Sequence, residues 1–242
     1  MAANDPAKRI ALLIDADNAP AAKIDVVLAE VARHGAANVR RAYGNWKSPH
    51  LQQWEAVLHA YAIRPIQQFA YSTGKNASDM AMVIDAMDLL YAGSVDGFAI
   101  VSSDADFTPL VMRILTDGHK VYGFGQRQTP EPFINACSQF TYVESLGEPA
   151  EEKPGEAPAA TPQQALRGDA RLVRMLRSAV DAASGDDGWA HLGEVGNQIG
   201  NQASFDPRNY GYRKLSDLIQ ASDLFEVRRT GQIVMVRDKR QS

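Results

Sequence analysis

Two stretches of the 242-residue sequence place pairs of aspartates directly after apolar runs. "IALLIDADNAP", residues 10–20, carries Asp15 and Asp17, and "IVSSDADFTPL", residues 100–110, carries Asp104 and Asp106. Like charges at the end of a buried strand repel one another and raise one another's pKa unless a cation compensates them. The chemistry that this spacing predicts is therefore the binding of a metal ion by carboxylates.

The predicted secondary structure brings further carboxylates to the same place. In an open α/β sheet, ligands bind outside the carboxyl ends of the strands, so Asp15 and Asp104 should share a crevice if their strands are neighbours. Asp79 follows "TGKNAS" in the first turn of a predicted helix that starts from the same edge. Asp106 lies in the first turn of the next helix, where its carboxylate also meets the positive end of the helix dipole. Mg²⁺ or Mn²⁺ suits such an all-oxygen site.

Each acidic residue taken alone also has a purely structural explanation. Asp106 could cap a helix, and Asp17 could be a turn residue. Asp85 and Asp88 lie inside a predicted helix, where Asp88 is expected to be solvated and Asp85 to brace the site. The coincidence of two strand-end pairs with Asp79 favours the metal site over these explanations.

Other motifs for catalysis or cofactor binding are weak. The five histidines have no zinc-ligand spacing, and no G-x-x-x-x-G-K-[ST] motif occurs. "YGFGQRQ" lacks the third glycine of a dinucleotide fingerprint. Ser102 and Ser103 have no histidine nearby in a nucleophile arrangement, so we expect them to orient the carboxylates.

Strands and helices alternate over residues 1–146, which predicts a mostly parallel sheet covered by helices on both faces. In the predicted helix over residues 77–93, the spacing of the apolar residues predicts one buried face. In the helix that starts near residue 48, Ser48 is expected to be the cap and Pro49 to occupy the first turn. The predicted strands are 9–15, 38–44, 63–70, 97–103, 119–125 and 140–145. The predicted buried face of the helix over residues 77–93 consists of Met80, Val83, Ile84, Met87 and Leu90.

A linker and a second domain follow. "GEPAEEKPGEAPAATPQQ" is rich in Pro, Ala and Glu, so we expect residues 147–166 to be a semi-extended tether. Residues 167–242 then show three helical patterns and an alternating segment with a predicted turn at 229–232, the outline of a winged helix. This region carries twelve basic and ten acidic residues, whereas the whole chain has a net charge of −4.

Composition limits the class of protein. No apolar stretch approaches the roughly 18 residues that span a bilayer, which argues against a membrane protein. The start "MAANDPAKR" has no signal-peptide pattern. The single cysteine, Cys137, cannot form an internal disulfide and is expected to be a core residue in a reducing compartment. These features predict a cytoplasmic protein.

Three stretches resemble the NYN domain, a branch of the PIN-like nucleases with a Rossmann-like parallel sheet. They are "LLIDADN", "GKNASDMAMVIDAMDLL" and "IVSSDADFTPLVMRILTDGHKVYGFG", in that order over residues 8–146. The resemblance implies metal-dependent ribonuclease activity. It also assigns the metal-binding and catalytic set to Asp15, Asp79, Asp104 and Asp106, with Asn18 as a polar companion. Lys75, in the loop of the second stretch, would meet a phosphate.

The second domain resembles the OST-HTH or LOTUS winged helix, which is associated with RNA or protein partners. The resemblance rests on the helical stretch "GYRKLSDLI" and the hairpin that follows it. Basic side chains there are candidates for phosphate contacts, and tyrosines could stack on unpaired bases. The candidate RNA-binding residues of this domain are Arg208, Tyr210, Arg213, Lys214 and Arg228.

The sequence therefore predicts a Mg²⁺- or Mn²⁺-dependent endoribonuclease with a C-terminal RNA-engaging module. Two alternatives stay open at this point. One is a non-catalytic adaptor that binds RNA or protein. The other is a haloacid dehalogenase-type phosphatase, in which "IDADN" supplies an aspartate nucleophile and Asp17 an acid/base. The RNA substrate and the oligomeric state do not follow from the sequence.

Overall fold

Six parallel strands form a sheet in the order β3-β2-β1-β4-β5-β6 in the computed structural model, which describes residues 7–69, 77–147, 162–231 and 233–241. The chain divides into two compact units, Met1–Gly147 and Glu148–Ser242. Within the described ranges, no helix is both long and apolar enough to cross a membrane. The strands of the first unit are β1 (Arg9–Asp15), β2 (Ala36–Gly44), β3 (Arg64–Gln67), β4 (Gly97–Val101), β5 (Lys120–Gly125) and β6 (Gln139–Tyr142).

The connections between these strands wind in two directions from the centre of the sheet. From β1 the chain moves outward to β2 and β3, and it then crosses back to β4 on the other side of β1. The switch point therefore lies between β1 and β4, where a crevice opens at the carboxyl ends of the strands. The helices of this unit are α1 (Ile24–Val31), α2 (Trp54–Ala60), α3 (Ala77–Tyr91), α4 (Thr108–Thr116) and α5 (Glu131–Ala136).

The central strand β1 is apolar from Ile10 to Ile14 because both of its faces are covered. Successive side chains of a strand point to opposite faces, and Ala11 and Leu13 join one core cluster while Leu12 and Ile14 join the other. The first cluster packs beneath α3, α4 and α5, and the second beneath α1 and α2. Burial of Cys137 in the first cluster agrees with its predicted place in the core.

The predicted buried face of α3 is right at Leu90 and wrong at Met80 and Ile84. Leu90 is buried and Val83 and Met87 pack against the same core cluster, but Met80 and Ile84 are 60% and 58% exposed. The buried residues of the helix are Met82, Ala86, Leu89 and Leu90. Apolar residues occur on every side of this helix, so the hydrophobic pattern leaves its orientation open. Contact with the sheet decides it, and the small side chain of Ala86 permits the close approach.

Ser48 and Pro49 occupy the predicted N-cap and first-turn positions, but of a short 3-10 helix that the Ser48 side chain does not cap. The Ser48 hydroxyl makes no capping hydrogen bond and lies 2.9 Å from Nδ1 of His50. A short 3-10 helix over Pro49–Leu51 begins there, and α2 starts only at Trp54. Leu51 and Trp54 are both buried, so this segment is fixed by packing.

The second unit contains helices and a small antiparallel sheet in the order β7-β9-β8. Asp169 caps α7 by accepting hydrogen bonds from the backbone N–H groups of Arg171 and Leu172. Leu176, Ile199 and Leu218 pack from three helices into one core. The elements are α6 (Pro162–Gly168), α7 (Ala170–Ala183), β7 (Ala190–His191), α8 (Leu192–Gln202), α9 (Leu215–Ser222), β8 (Phe225–Thr230) and β9 (Ile233–Asp238).

The second unit has the helices and hairpin expected of a winged helix, with changes at two boundaries. The helix α6 begins at Pro162, inside the stretch predicted as linker, and its Leu166 is 6% exposed because it packs into the core of the unit. Most of that stretch, residues 148–161, lies outside the described residues. The hairpin turns between Thr230 and Ile233, with Gly231 at a φ of 63°.

Candidate metal-binding active site

The predicted acidic residues lie at the carboxyl edge of the sheet, at the switch point. Asp15 is the last residue of β1, and β4 is the neighbour of β1 on one side. Asp104 and Asp106 follow β4 and flank the start of a 3-10 helix over Ala105–Phe107. Asp79 lies in the first turn of α3, which begins at the same edge.

Asp15 is the buried centre of this group, with 1% of its surface exposed. Its Oδ2 atom accepts hydrogen bonds from Ser102 Oγ at 2.7 Å and from Asn18 Nδ2 at 2.9 Å. Its Oδ1 atom is also buried but has no hydrogen-bond partner among the described residues. Burial and, to a lesser degree, the Asp17 charge raise the pKa of Asp15, and hydrogen bonding by Ser102 and by the side chain and backbone of Asn18 opposes that rise. A buried carboxylate oxygen without a donor is costly, and a cation would satisfy it.

Ser102 connects two of the acidic residues. It is 1% exposed, donates its hydroxyl to Asp15 and accepts a hydrogen bond from the Asp104 backbone N–H at 3.0 Å. Asp104 Oδ1 in turn accepts from the Asp106 backbone N–H at 2.9 Å. Ser102 therefore orients Asp15, as expected from the sequence. Ser103 does not reach the carboxylates, because its Oγ accepts a hydrogen bond from the Gln126 backbone.

The pKa of Asp79 depends on its burial and on the charges of the other carboxylates in the group. Burial raises its pKa to about 6, and the negative charges of Asp15, Asp104, Asp17 and Asp106 add to the rise. A carboxyl group raised by several like charges is one that a bound cation would stabilise in its ionised form. The four predicted carboxylates are thus electrostatically coupled.

Asp17, which the sequence argument left outside the set, is a fifth member of this acidic group. It contributes to the raised pKa of Asp79. Its carboxylate accepts a hydrogen bond from Ser78 Oγ at 3.2 Å and lies 3.7 Å from Nε2 of His50. The signal that could have found it is its position two residues after Asp15 in a turn at the site.

Helix α3, which carries Asp79, is tied to the sheet by Asp85. The carboxylate of Asp85 pairs with the Arg41 guanidinium and accepts a hydrogen bond from the Tyr43 hydroxyl. Tyr43 is the register partner of Asp15 on the neighbouring strand. Burial and the adjacent Asp85 carboxylate raise the pKa of Tyr43. This arrangement gives Asp85 the bracing position expected from the sequence.

The structure shows a cluster of carboxylates and not a completed coordination shell. In the part of the chain that the structure describes, no group of three or more His, Cys, Asp or Glu side chains is placed to hold a metal ion. The fit of a cation therefore rests on the unsatisfied Asp15 Oδ1 and on the mutual repulsion at Asp79. Carboxylate oxygens are the donors that Mg²⁺ and Mn²⁺ prefer.

The candidate RNA-binding residues of the second unit differ in their availability. Arg208 forms a bidentate ion pair with Asp206, whose side chain is 1% exposed, so this arginine neutralises a buried charge. Tyr210 is 36% exposed and stacks on Phe205, with ring centroids 5.9 Å apart. Arg213, Lys214 and Arg228 are exposed. Lys75 lies outside the described residues.

The fold defines the class of protein: a doubly wound α/β domain with an acidic switch-point crevice, followed by a helical unit with a hairpin. Residues 9–144 match the NYN domain, and residues 167–236 match the OST-HTH/LOTUS domain. The chain belongs to the NYN domain family. NYN domains have a PIN-like nuclease fold, and OST-HTH/LOTUS domains are RNA-binding modules. This family membership favours a nuclease over the phosphatase alternative.

Two solved structures are similar to parts of the chain. A protein of unknown function from Vibrio parahaemolyticus is 21% identical over 58% of this chain and 96% of its own, with a TM-score of 0.50, and shares the fold. An uncharacterized protein from Nitrosomonas europaea, solved by NMR, is 35% identical over 38% of this chain and 86% of its own, with a TM-score of 0.27. No curated protein matches the chain at a significant level.

Proposed function

We propose that the protein is a divalent-metal-dependent endoribonuclease whose C-terminal domain engages RNA. Asp15, Asp79, Asp104 and Asp106 would hold Mg²⁺ or Mn²⁺, with Asn18 as a polar companion that orients Asp15. The observation that carries the proposal is the buried Asp15 Oδ1, which has no donor among the described residues and lies in a group of coupled carboxylates. Membership in the NYN family supports hydrolysis of RNA as the reaction.

The residues of the chain fix the carboxylates in place. Ser102 and Asn18 hold one oxygen of Asp15, which leaves the other directed away from their hydroxyl and amide donors. Asp104 is held by its own helix-capping hydrogen bond to the Asp106 backbone. A divalent cation bound there supplies Lewis-acid polarisation of the scissile phosphate and a nucleophilic water at neutral pH. No side chain is required as a nucleophile.

Electrostatics predicts that metal is needed for RNA binding at the site as well as for cleavage. The carboxylates repel the phosphate backbone until a cation reduces their charge. In the second domain, Arg213, Lys214 and Arg228 would contact phosphates, and Tyr210 would stack on an unpaired base. Arg208 is a weaker candidate than the sequence suggested, because release of its guanidinium would leave the buried Asp206 charge uncompensated.

The test is Asp104→Asn in the full chain, assayed by cleavage of a fluorescent RNA with Mn²⁺ and by calorimetric titration of Mn²⁺. Asparagine keeps a side-chain oxygen for the capping hydrogen bond but removes the charge. Loss of an outer-shell partner already costs about 10–100-fold in metal affinity or activity, so loss of a ligand should cost more than 100-fold. Asp88→Asn, on the exposed side of α3, is the matched control. Wild-type cleavage and Mn²⁺ affinity in Asp104→Asn would refute the assignment.

A further inference from the structure

An aromatic ring and a lysine lie together beyond the ends of β2 and β3. The Lys47 ammonium is 5.1 Å from the centroid of the Phe69 ring, and the Phe69 side chain is 49% exposed. Lys47 is exposed and has no ion-pair partner among the described residues. A single exposed phenylalanine is ordinary on a protein surface. An exposed ring under an ammonium group that no described carboxylate pairs with, at the edge that carries the acidic group, is a more specific feature.

The two side chains are held by hydrogen bonds between the segments that carry them. Gln67, the last residue of β3, accepts a hydrogen bond from the Trp46 backbone N–H at 3.0 Å. It also donates its amide to Asn45 Oδ1 at 2.9 Å. The Trp46 indole donates to the Ile66 carbonyl at 3.0 Å. The loop after β2 is therefore fixed against the end of β3, which holds the backbones that carry Lys47 and Phe69 next to each other and lowers the ordering cost of binding a ligand there.

The same loop adjoins the acidic group. A Cβ atom at Gly44, the last residue of β2, would lie 3.8 Å from Asp17 Oδ1 and only 2.8 Å from Leu51 Cδ1. The end of β2 therefore passes within van der Waals reach of the Asp17 side chain. Farther along the loop, His50 lies 3.7 Å from Asp17. The lysine, the ring and the carboxylates thus belong to one continuous edge of the sheet.

We propose that Lys47 and Phe69 form a nucleotide subsite for single-stranded RNA beside the acidic group. An unpaired base stacks on the Phe69 ring, and the Lys47 ammonium contacts a neighbouring phosphate. Lys47 also offsets part of the repulsion that the carboxylates exert on an approaching strand. This inference rests on the proposed ribonuclease function and deepens it by naming the substrate class, because bases paired in a duplex cannot stack on a protein ring.

The test measures the affinity of the full chain for a fluorescein-labelled 12-nucleotide oligouridine by anisotropy. The Asp104→Asn background is used throughout so that the RNA stays intact, with Mn²⁺ raised until it saturates the weakened site and the carboxylates no longer repel the strand. Phe69→Ala should weaken binding about tenfold, since base–aromatic stacking is worth about 1–3 kcal/mol. Lys47→Gln should weaken binding and lower the slope of log affinity against log salt by about 0.7, the value for one phosphate contact to a single strand. A 12-base-pair duplex should bind equally to Phe69→Ala and its parent.

Tyr91→Ala is the matched control. Tyr91 is an exposed ring, 73% accessible, with the Arg113 guanidinium 5.6 Å from its centroid. It ends the 15-residue α3, about 20 Å from the first turn of that helix, so its loss should leave RNA affinity unchanged. Unchanged melting temperatures would show that the variants are folded, as expected for exposed positions.

The outcomes separate the subsite from the proposed function. The subsite is overturned if Phe69→Ala binds oligouridine as tightly as Tyr91→Ala does. It is also overturned if Phe69→Ala loses affinity for the duplex and for the single strand equally. Absence of cleavage by the wild type with Mn²⁺ refutes the ribonuclease proposal, while the comparison of the two aromatic variants still tests the subsite. If the wild type cleaves RNA with Mn²⁺ but Phe69→Ala binds oligouridine as tightly as its parent, the subsite alone is refuted.

Discussion

Ser102 and Ser103 are adjacent residues after the same strand, but only Ser102 touches the carboxylates. Ser102→Ala removes the hydrogen bond to Asp15 and the acceptor for the Asp104 backbone N–H. Partners that orient metal ligands are typically worth about 10–100-fold in metal affinity or activity. We therefore expect Ser102→Ala to weaken Mn²⁺ binding by that factor in calorimetric titration.

Ser103→Ala controls for the general effect of losing a hydroxyl at this turn. Its Oγ accepts from the Gln126 backbone, so the variant should lose some stability while Mn²⁺ affinity stays at the wild-type value. Equal Mn²⁺ affinities in the two alanine variants would contradict the orienting role of Ser102.

The raised pKa of Asp79 makes the stability of the metal-free protein depend on pH. The pKa of about 6 in the folded state exceeds the ordinary value of 3.8, so the fold disfavours the ionised form. The contribution is fully present below pH 3.8 and is lost as the pH rises through 6. Asp79→Asn should therefore melt at a higher temperature than wild type at pH 8 in chelator, and the difference should vanish near pH 3.5.

Thermal denaturation in chelator across this pH range gives the measurement. Asp88→Asn, an exposed aspartate of the same helix, should show no such pH-dependent difference from wild type. If the two variants track each other from pH 3.5 to pH 8, the proposed repulsion at Asp79 is absent.

At the residue scale, site side chains that directly follow a buried strand can be predicted from the sequence, whereas side chains that loops bring together cannot. Asp15 and Asp104 could be placed at one edge because a strand end is visible as the end of an apolar run. Lys47 and Phe69 lie 22 positions apart, and nothing in their local sequence links them. Their contact depends on hydrogen bonds from Gln67 to the Asn45–Trp46 segment, which only the folded sheet supplies.

At the scale of elements, Asp85 joins α3 to the sheet through Arg41 and Tyr43. Asp85→Ala would leave a half-buried guanidinium and a buried hydroxyl without their acceptor. The cost of such unsatisfied groups is about 1–3 kcal/mol, more when one is charged. We expect Asp85→Ala to lower the free energy of unfolding by about that amount, measured by urea denaturation with the metal chelated.

Asp88→Ala lies on the same helix and is the matched control for that experiment. Its side chain is exposed, so the change in the free energy of unfolding should stay within about 0.5 kcal/mol. Alanine has the higher helix propensity of the two residues, so propensity cannot cause a loss in either variant. A similar loss in both would mean that the Arg41–Tyr43 brace does not explain the effect.

The order and type of the elements are easier to predict than their orientation. The six strands of the first unit appear in the expected places, because each is a run of apolar or β-prone residues between turn signals. The prediction for the buried face of α3 is wrong at Met80 and Ile84, because these side chains are as apolar as those that are buried. In the second unit, α9 starts at Leu215, later than the stretch "GYRKLSDLI" suggested, because Gly211 has a left-handed φ of 85° and Lys214 is extended.

At the scale of the whole molecule, the division into two units leads to a prediction about their separate roles. Residues 1–147 have their own core and should fold alone. This fragment should cleave saturating RNA at the rate of the full chain, because it contains the proposed metal ligands. Its half-saturating RNA concentration should be higher, since the second domain contributes an additional contact at high effective concentration. The difference should shrink at high salt if phosphates are contacted.

Steady-state cleavage by the fragment and the full chain at two salt concentrations provides the data. A full-length variant with Arg213→Gln, Lys214→Gln and Arg228→Gln should behave like the fragment if these residues make the contacts. Identical half-saturation in all three proteins would show that the second domain binds something other than the substrate RNA.

The pairing of Asp15 with Ser102 spans 87 positions of the chain. Contacts of such high sequence separation carry a large loop-closure entropy and cannot form before both partners have been synthesised. During synthesis, β1 leaves the ribosome long before β4, and a nascent chain that ends before residue 104 lacks two of the four proposed ligands. The proposed ribonuclease is thus made next to its own messenger in a form that cannot yet carry its complete set of carboxylates.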